Sequence, residues 1–317
     1  MNGLVSVVVP AFNEEKNLPH LYERLCAVLE TRQGPFEVVL VDDGSTDRTL
    51  TVMKDLQAKD PRVHYLSFTR NFGHQAALLA GLTHARGDAV ISLDSDLQHP
   101  PELIPQLLDY WGKGYEVVHT VKRTDCSAGF FRRTIARLFY RIFVALSGVP
   151  LGFGQSDFRL LDARVVKEIC RISEYCKFLR GLVSWMGFRQ VSLEYDVASR
   201  YTGKPTYSIA RRLRFHVDAI LSFSIVPLRM FTAIGVLVAV PAGMYGLLAI
   251  GLGFYGFLTG YSTWIVPGWA SIAIFVTFLG GIQLIGIGLV GEYLGRMFEQ
   301  IKGRPAYIIN ESSLRSE

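Results

Sequence analysis

A long stretch without charged side chains constrains this chain more than any other feature. No Asp, Glu, Lys or Arg occurs between Arg229 and Glu292. Because a helix that spans a bilayer needs about 20 apolar residues, the stretch has room for two such helices and a turn. We predict a membrane unit over residues 229–294, with spans at about residues 231–258 and 265–293. A helical hairpin in the core of a soluble domain is the alternative, but such cores rarely bury so long an uncharged sequence.

The positions of the basic residues predict the orientation of this membrane unit. Several cations precede the first predicted span and others follow the second, whereas the turn between them has none. By the positive-inside tendency, both ends of the unit face the cytoplasm. The N-terminus lacks the basic and apolar regions of a secretory signal, so residues 1–208 are expected to form a cytoplasmic domain and residues 295–317 a cytoplasmic tail. The sequence therefore predicts a multi-pass protein of the inner or plasma membrane.

Two further segments have the pattern of helices that lie on a membrane surface. Between residues 128 and 146, arginines recur on one helical face and apolar side chains on the other. Residues 209–228 contain three early arginines, become apolar and reach Pro227 just before the first span. Both segments are expected to lie on anionic headgroups of the lipid bilayer, with an ordinary surface helix as the alternative for each. Glycines in the second span permit close helix packing, so a homo-oligomer is also expected.

Composition narrows the range of functions. Only 19% of the residues are charged, the mean hydropathy is +0.25, and the net charge of +5 comes from the stretches beside the predicted membrane unit. This distribution favours a lipid partner and argues against a nucleic acid. The four cysteines form no C-x-x-C pair, so neither a disulfide scaffold nor a structural zinc site is indicated.

The beginning of the chain alternates between strand and helix patterns. Apolar runs rich in β-branched residues at 5–10, 38–41, 63–68 and 89–93 are separated by helical patterns. Such alternation predicts an α/β domain with a mostly parallel sheet and helices on both faces. Ligands of such sheets bind beyond the carboxyl ends of the strands, and a polar cluster follows each predicted strand here.

These polar clusters predict an acidic site. They are Asn13-Glu14, Asp42-Asp43-Gly44-Ser45, Arg70-Asn71 and Asp94-Ser95-Asp96. Neither G-x-G-x-x-G nor G-x-x-x-x-G-K-[ST] occurs in these turns, so no dinucleotide fingerprint and no P-loop is predicted. Asp94 and Asp96, two residues apart after a strand, can share a divalent cation that bridges to a diphosphate. Mg²⁺ or Mn²⁺ suits these oxygen ligands and leaves coordination positions for a substrate.

Four segments resemble glycosyltransferase family 2, and specifically its polyprenyl-phosphate sugar transferases. They are VSVVVPAFNEEKNL at 5–18, VDDGSTDRT at 41–49, RNFGHQAALLAG at 70–81 and SLDSDLQHPPE at 92–102. The C-terminal extension looks like that of the bacterial GtrB-type branch, whose catalytic domain resembles dolichol-phosphate mannose synthase. The resemblance implies a GT-A (Rossmann-like) fold that transfers a sugar, with inversion, from a nucleotide-sugar donor to a polyprenyl phosphate such as undecaprenyl phosphate. UDP-glucose is the expected donor, with GDP-mannose or another UDP-sugar as the alternative.

The resemblance also implies roles for individual residues. The nucleotide-sugar pocket is expected to contain Pro10, Ala11, Asn13, Glu14, Asp42, Asp43, Asp94 and Ser95, with one of the two adjacent aspartates on the base or ribose. Asp94, Asp96 and Gln98 are the expected metal ligands. Arg200, in the segment RYTGKPTYS at 200–208, is expected to reach the donor diphosphate or the product phosphate.

A lipid-borne phosphate needs positive charge more than a general base, because it is already largely a dianion at neutral pH. The residues expected to bind it are Lys122, Arg123, Arg132 and Arg133, with plain headgroup attraction as the alternative for the last two. Asp157, in GQSDFRLLD at 154–162, is expected in the catalytic pocket. It could orient the acceptor, act as a base, or only pin Arg159 by an ion pair. His74 is expected to start a helix or line the pocket rather than ligate a metal.

Two other functions are weighed against this one. A processive polysaccharide synthase of the same fold is disfavoured, because two spans are too few for a polymer channel and no Q-x-x-R-W stretch is present. A non-catalytic membrane partner that only binds a nucleotide sugar is disfavoured by the intact D-x-D triplet. The residues expected to act in catalysis are Asp96, Asp157 and Arg200.

Overall fold

The structure is a computed structural model. It describes residues 3–32, 34–123, 144, 154–172, 174, 178–196, 224–259 and 269–314. Arg132, Arg133 and Arg200 lie outside the described residues, as do nearly all of the predicted surface helix at 128–146 and most of that at 209–228. The chain divides into two compact units: Met1–Arg212 together with Arg304–Glu317, and Leu213–Gly303.

The first unit is built on one sheet, which has eight strands within the described ranges. In chain order they are β1 (Val5–Ala11), β2 (Phe36–Asp42), β3 (Val63–Phe68), β4 (Ala89–Ser92), β5 (Val117–Lys122), β6 (Gln155–Asp162), β7 (Gln190–Tyr195) and β8 (Ile309–Ser312). Their order across the sheet is β7-β5-β6-β4-β1-β2-β3-β8. All neighbours pair in parallel except at β6 and β8, which are antiparallel to the strands beside them. This confirms the predicted mostly parallel α/β sheet.

Helices connect these strands. They are α1 (Asn17–Leu29), α2 (Thr49–Lys59), α3 (His74–His84), α4 (Ile104–Gly112), α5 (Ala163–Arg171) and α6 (Leu179–Trp185), with a 3-10 turn at Pro101–Leu103. Helix α1 buries leucines at helical spacing, Leu18, Leu21, Leu25 and Leu29, against the sheet. Helix α3 lies so close to β1 that a Cβ atom on Gly81 would be 2.2 Å from Cγ1 of Val8.

The core lies on both faces of the central strands. Every residue of β1 and of β2 is buried, as expected for parallel strands that helices cover on both sides. Val, Ile and Leu side chains dominate these strands because the branched side chains pack well on a pleated surface. This rigid centre fixes the positions of the loops that follow the strands.

The last strand of the sheet was missing from the sequence-based prediction. Strand β8 pairs antiparallel with β3, and its flanks extend the ladder: the N–H of Ser313 donates to the carbonyl of Tyr65 at 3.0 Å, and the N–H of Thr69 to the carbonyl of Ile308 at 3.1 Å. Residues assigned by prediction to a tail thus complete the sheet of the first unit. The chain leaves this unit after Arg212 and returns to it at Arg304.

The second unit contains two long helices, α7 (Val226–Thr259) and α8 (Trp269–Ile301). Large apolar side chains on both are exposed, among them Leu237, Phe254, Leu284 and Ile287. Within the described part of the chain, one helical stretch, Phe278–Ile301, is long and apolar enough to cross a membrane. Helix α7 covers the first predicted span and α8 the second from Trp269 onward, while residues 265–268 lie outside the described residues. The transmembrane hairpin itself is not confirmed and stays a prediction.

Candidate functional site

The polar clusters that follow the parallel strands lie at one edge of the sheet. Strand β1 pairs in parallel with β2 and β4, and β2 with β3, so the carboxyl ends of these four strands point the same way. Strand β5 is antiparallel to β6, which is antiparallel to β4. The carboxyl end of β5, with Lys122, therefore lies at the same edge. Open parallel sheets bind their ligands at this edge.

The loop after β1 is fixed by hydrogen bonds to the loop after β2. Asn13 has a left-handed backbone with φ of 57°, which Asn tolerates better than most residues. Its side-chain oxygen accepts from the N–H of Thr46 at 2.9 Å, and its own N–H donates to Oγ of Ser45 at 2.9 Å. The N–H of Glu14 donates to Oγ1 of Thr49 at 2.8 Å. The residues expected in the nucleoside pocket thus form one hydrogen-bonded wall.

Two adjacent buried carboxylates end β2. Asp42 accepts from Oγ of Ser67 at 2.8 Å and from the N–H of Ser45 at 3.0 Å. Asp43 accepts from the N–H groups of Phe72 at 2.7 Å and Gly73 at 3.0 Å. Burial raises the pKa of Asp43 above its usual value, and the two N–H groups offset only part of that rise. Both carboxylates therefore fix neighbouring loops by hydrogen bonds, and both lie at the edge of the sheet where the strands end.

The D-x-D segment follows β4 in a tight turn. Asp94 accepts from Nε2 of the buried His99 at 2.9 Å, and Nδ1 of His99 lies 2.6 Å from the hydroxyl of Tyr195 in β7. Burial opposes the ionisation of Asp94, but the hydrogen bond from His99 and the nearby His74 outweigh it and lower its pKa. Asp96 accepts from the N–H of Gln98 at 3.1 Å. The turn therefore presents oxygen ligands whose orientation is set by surrounding groups.

Asp157, at the antiparallel strand β6, is buried among cations. It pairs with the fully buried Arg159 through a close contact, and it accepts from Nε and Nη2 of Arg180 at 2.9 and 2.7 Å. Burial alone would raise the pKa of Asp157, but the charge of Arg180, the hydrogen bond to His74 and the charge of Arg159 hold it well below its usual range. A carboxylate with so low a pKa is a weak proton acceptor.

His74 links the two acidic centres. Its Nε2 atom lies 3.4 Å from Oδ1 of Asp94 and 3.6 Å from Oδ2 of Asp157. Burial disfavours the charged ring, but the hydrogen bond to Asp157 and the charges of both aspartates raise its pKa to about 9. The imidazole is therefore cationic at neutral pH. His74 also begins helix α3, so it lines the site and starts a helix, as the sequence predicted.

The structure brings together most of the predicted site residues it describes and adds some that were missed. Lys122 and Arg123 close β5 at the same edge, where Arg123 lies 3.5 Å from Glu194 and 3.4 Å from Asp196. Arg180 and Tyr195 were not predicted, because each reaches the site from a distant part of the chain, and His99 was missed although it lies five residues from Asp94. The histidine in the segment SLDSDLQHPPE was the one available signal.

The first unit has the GT-A class of fold: an open, mostly parallel α/β sheet with acidic side chains beyond the carboxyl ends of its strands. Residues 6–170 match the family model for glycosyl transferase family 2. The chain belongs to this family, and the protein is a glycosyltransferase. The family predicted from the four sequence segments is confirmed.

Relatives in this family match the chain along nearly its whole length. It is 40% identical over 309 residues to the SfII prophage-derived bactoprenol glucosyl transferase of Shigella flexneri, covering 97% of this chain and 98% of the relative. It is 36% identical over 307 residues to the uncharacterized glycosyltransferase YkcC of Bacillus subtilis (strain 168), covering 97% and 93%. These matches extend over both units.

Solved structures are similar at lower identity. Glucosyl-3-phosphoglycerate synthase from Mycobacterium tuberculosis, in complex with Mn²⁺, UDP-glucose and phosphoglyceric acid, is 20% identical with a TM-score of 0.46, covering 69% of this chain and 79% of that one. TarS of S. aureus in complex with UDP-GlcNAc is 19% identical with a TM-score of 0.48, covering 70% and 66%.

Proposed function

We propose that this glycosyltransferase transfers a sugar from a nucleotide sugar to a polyprenyl phosphate, with inversion at the anomeric carbon, at the cytoplasmic membrane face. The expected donor is UDP-glucose and the expected acceptor is undecaprenyl phosphate. The observation that carries this proposal is the match along 97% of the chain to a relative named as a bactoprenol glucosyl transferase. Because the match includes the apolar second unit as well as the first, it favours an acceptor that resides in a lipid phase.

The return of the chain to its first unit supports a membrane hairpin. Strand β8 pairs with β3 and the chain belongs to the first unit both before and after the second, so in a membrane protein this folded body would lie on one side of the bilayer. A segment that leaves and re-enters the same side crosses an even number of times. Helix α7 has 34 residues, about 50 Å at 1.5 Å per residue, which is enough to cross a hydrocarbon core of about 30 Å beside α8.

The side-chain oxygen atoms of the turn after β4 suit a hard divalent cation. Asp94, Asp96 and Gln98 offer carboxylate and amide oxygens, which Mg²⁺ and Mn²⁺ prefer. Within the described residues, no group of three or more His, Cys, Asp or Glu side chains is placed to hold a metal ion. Diphosphate oxygens of the donor would therefore have to complete the coordination. When bound, the ion would supply positive charge against the leaving nucleoside diphosphate.

The charges around Asp157 favour a positioning role for this residue over a role as general base. The acceptor phosphate is largely a dianion at neutral pH, so it attacks without losing a proton to the enzyme. What the chain must supply is positive charge that holds this phosphate. We assign that role, among the described cations, to His74, Arg180 and Lys122, with Asp157 fixing the first two. Arg123, Arg132, Arg133 and Arg200 stay the further proposed phosphate ligands.

A transfer assay tests this function directly. The purified protein in detergent is incubated with undecaprenyl phosphate, Mg²⁺ or Mn²⁺ and a panel of labelled UDP- and GDP-sugars, and the label in the lipid phase is measured. We expect label from UDP-glucose and its loss with EDTA. The Asp94→Asn and Asp96→Asn variants should lose on the order of a hundredfold in rate, as for loss of a main electrostatic group, whereas Asp109→Asn on the exposed face of α4 should not.

The assay also separates the alternatives. Label from GDP-mannose or another UDP-sugar alone would replace the proposed donor and keep the reaction. Binding of UDP without label from any donor would exclude the proposed acceptor. Unchanged transfer in Asp94→Asn and Asp96→Asn would exclude the proposed metal site.

A further inference from the structure

An aromatic side chain just before the C-terminal strand packs on the end of β3. The ring of Tyr307 stacks on that of Phe68, with centroids 5.1 Å apart and planes 9° from parallel. Phe68 in turn meets Phe72 edge-on, with centroids 5.7 Å apart. An ion pair anchors the strand beside this stack, since Nζ of Lys54 lies 2.5 Å from Oε2 of Glu311. A row of three aromatic rings thus leads from the C-terminal segment into the loop after β3.

This loop, residues 69–73, is held by the C-terminal strand at one end and by a site residue at the other. Its first N–H group, that of Thr69, donates to the carbonyl of Ile308 at 3.1 Å. Its last two, those of Phe72 and Gly73, donate to the buried carboxylate of Asp43. The loop therefore has two attachments, and the one outside the site comes from the far end of the sequence.

The backbone of the same loop packs directly against the turn after β2. Gly44, with φ of +68°, leaves no space for a side chain there, because a Cβ atom would lie 2.4 Å from the carbonyl carbon of Arg70. Such backbone-to-backbone contact has little room to adjust. A shift of the loop would therefore move the Asp42–Ser45 turn, which carries two of the residues proposed for the nucleotide-sugar pocket.

We infer that Tyr307 and strand β8 position the donor pocket: they hold loop 69–73 in the place from which it orients Asp43 and the turn after β2. Tyr307 is a positioning residue, because it acts through Phe68 and Phe72 and not on substrate. The inference rests on the proposed function for the identity of the pocket. The part of the chain that follows the membrane unit is thereby a component of the donor site.

The test compares three variants of the full chain in detergent. Tyr307→Ala removes the stack, Tyr307→Phe keeps the ring but loses the hydrogen bond to Thr83, and Tyr115→Ala removes a partly buried aromatic side chain from the opposite region of the sheet as a matched control. We measure hydrogen exchange of the segment 69–73, and the affinity for UDP by calorimetry. Tyr307→Ala should speed exchange of the segment and weaken UDP binding, each on the order of tenfold, as for the loss of one network of contacts.

The other variants and the kinetics decide between positioning and simple stabilisation. Tyr307→Phe should restore both values to nearly those of the parent protein, and Tyr115→Ala should leave both unchanged even where its melting temperature falls. In the transfer assay Tyr307→Ala should raise KM for the donor more than it lowers kcat. Unchanged exchange at 69–73 in Tyr307→Ala, or an equal change in Tyr115→Ala, would overturn the inference. A parent protein that binds neither UDP nor GDP would instead refute the proposed function, while the exchange result would still decide what Tyr307 holds.

Discussion

Two buried aspartates at the same edge of the sheet differ in what surrounds them. Asp43, after β2, is 3% exposed and accepts from backbone N–H groups, which carry no net charge. Asp157, in β6, is 4% exposed and lies among two arginines and a cationic histidine. Burial raises the pKa of Asp43, whereas the surrounding cations hold that of Asp157 well below its usual range.

This difference teaches that burial alone does not decide the charge of a carboxylate; the charge of its partners does. The β1–β2–β3 side of the edge uses carboxylates to fix loops by hydrogen bonds to the main chain. The β4–β6 side uses them to collect cations in the place where phosphates are proposed to bind. Substitutions that remove one carboxylate at a time should therefore have unequal effects on the two sides.

The largest effect is expected at Asp157. Asp157→Asn removes the negative charge that pairs with Arg159 and Arg180, and Arg159 is fully buried. Breaking a buried ion pair on one side costs about 3–5 kcal/mol of unfolding free energy. Urea unfolding in detergent, followed by tryptophan fluorescence, measures the change. Asp109→Asn on exposed helix α4 serves as the control and should stay within about 0.5 kcal/mol of the parent protein; a similarly small change in Asp157→Asn would contradict the ion-pair account.

A smaller effect is expected at the groups behind Asp94. Tyr195→Phe removes the hydroxyl group that lies 2.6 Å from Nδ1 of His99, whose other nitrogen contacts Asp94. Groups that orient a metal ligand typically contribute about 10-fold or more to metal affinity. We expect Mn²⁺ binding in the presence of UDP, measured by electron paramagnetic resonance, to weaken by about 10-fold. Tyr110→Phe on α4 should bind Mn²⁺ as the parent protein does; the same affinity in Tyr195→Phe would show that His99 is held without the hydroxyl.

Asp43→Asn should cost less than Asp157→Asn. The amide oxygen can still accept from Phe72 or Gly73, and no buried cation loses its partner. We expect a loss of about 1 kcal/mol in unfolding free energy, the size of one hydrogen bond, in the same urea experiment. A loss as large as that of Asp157→Asn would remove the distinction between the two sides of the edge.

A fourth substitution extends the comparison to a carboxylate away from the site. Asp60 is a buried aspartate whose hydrogen bonds from Arg62 lower its pKa to about 2. Since the folded pKa is below the unfolded value of about 3.9, the pair stabilises the protein above pH 4 and loses this effect as the pH falls through about 2. Asp60→Asn should therefore melt below the parent protein at pH 7, and the difference should shrink as the pH approaches 2. A difference that does not change with pH would mean that the charge of Asp60 contributes nothing.

The sequence predicted the regular half of the sheet well because its signals are local. The pattern at 63–68 matches β3 as found, and His74, which the sequence suggested as a helix start, begins α3. Each apolar strand or amphipathic helix has a pattern that depends only on residues close together in the chain, so it can be recognised without the rest of the sequence. The polar residues after the strands could be assigned to one edge for the same reason.

The sequence could not predict contacts that depend on the assembled sheet. Arg180 is 23 residues from Asp157, and Tyr195 is 96 residues from His99. The four-residue strand β8 has a polar and partly charged sequence, INES, with no strand pattern of its own. Its strand conformation depends on the backbone hydrogen bonds of the pairing with β3, a partner more than 240 residues away in the chain.

Strand β8 also covers the edge of β3 in the sheet. Without it, β3 would be an edge strand with unpaired N–H and C=O groups, and such edges can pair with strands of other molecules. A fragment of residues 1–212 would keep the predicted site residues and still expose this edge, so it should associate or aggregate. A fragment that joins residues 304–317 to the first 212 through a flexible linker would cover β3 with a short, charged edge strand and yield a better-behaved catalytic domain.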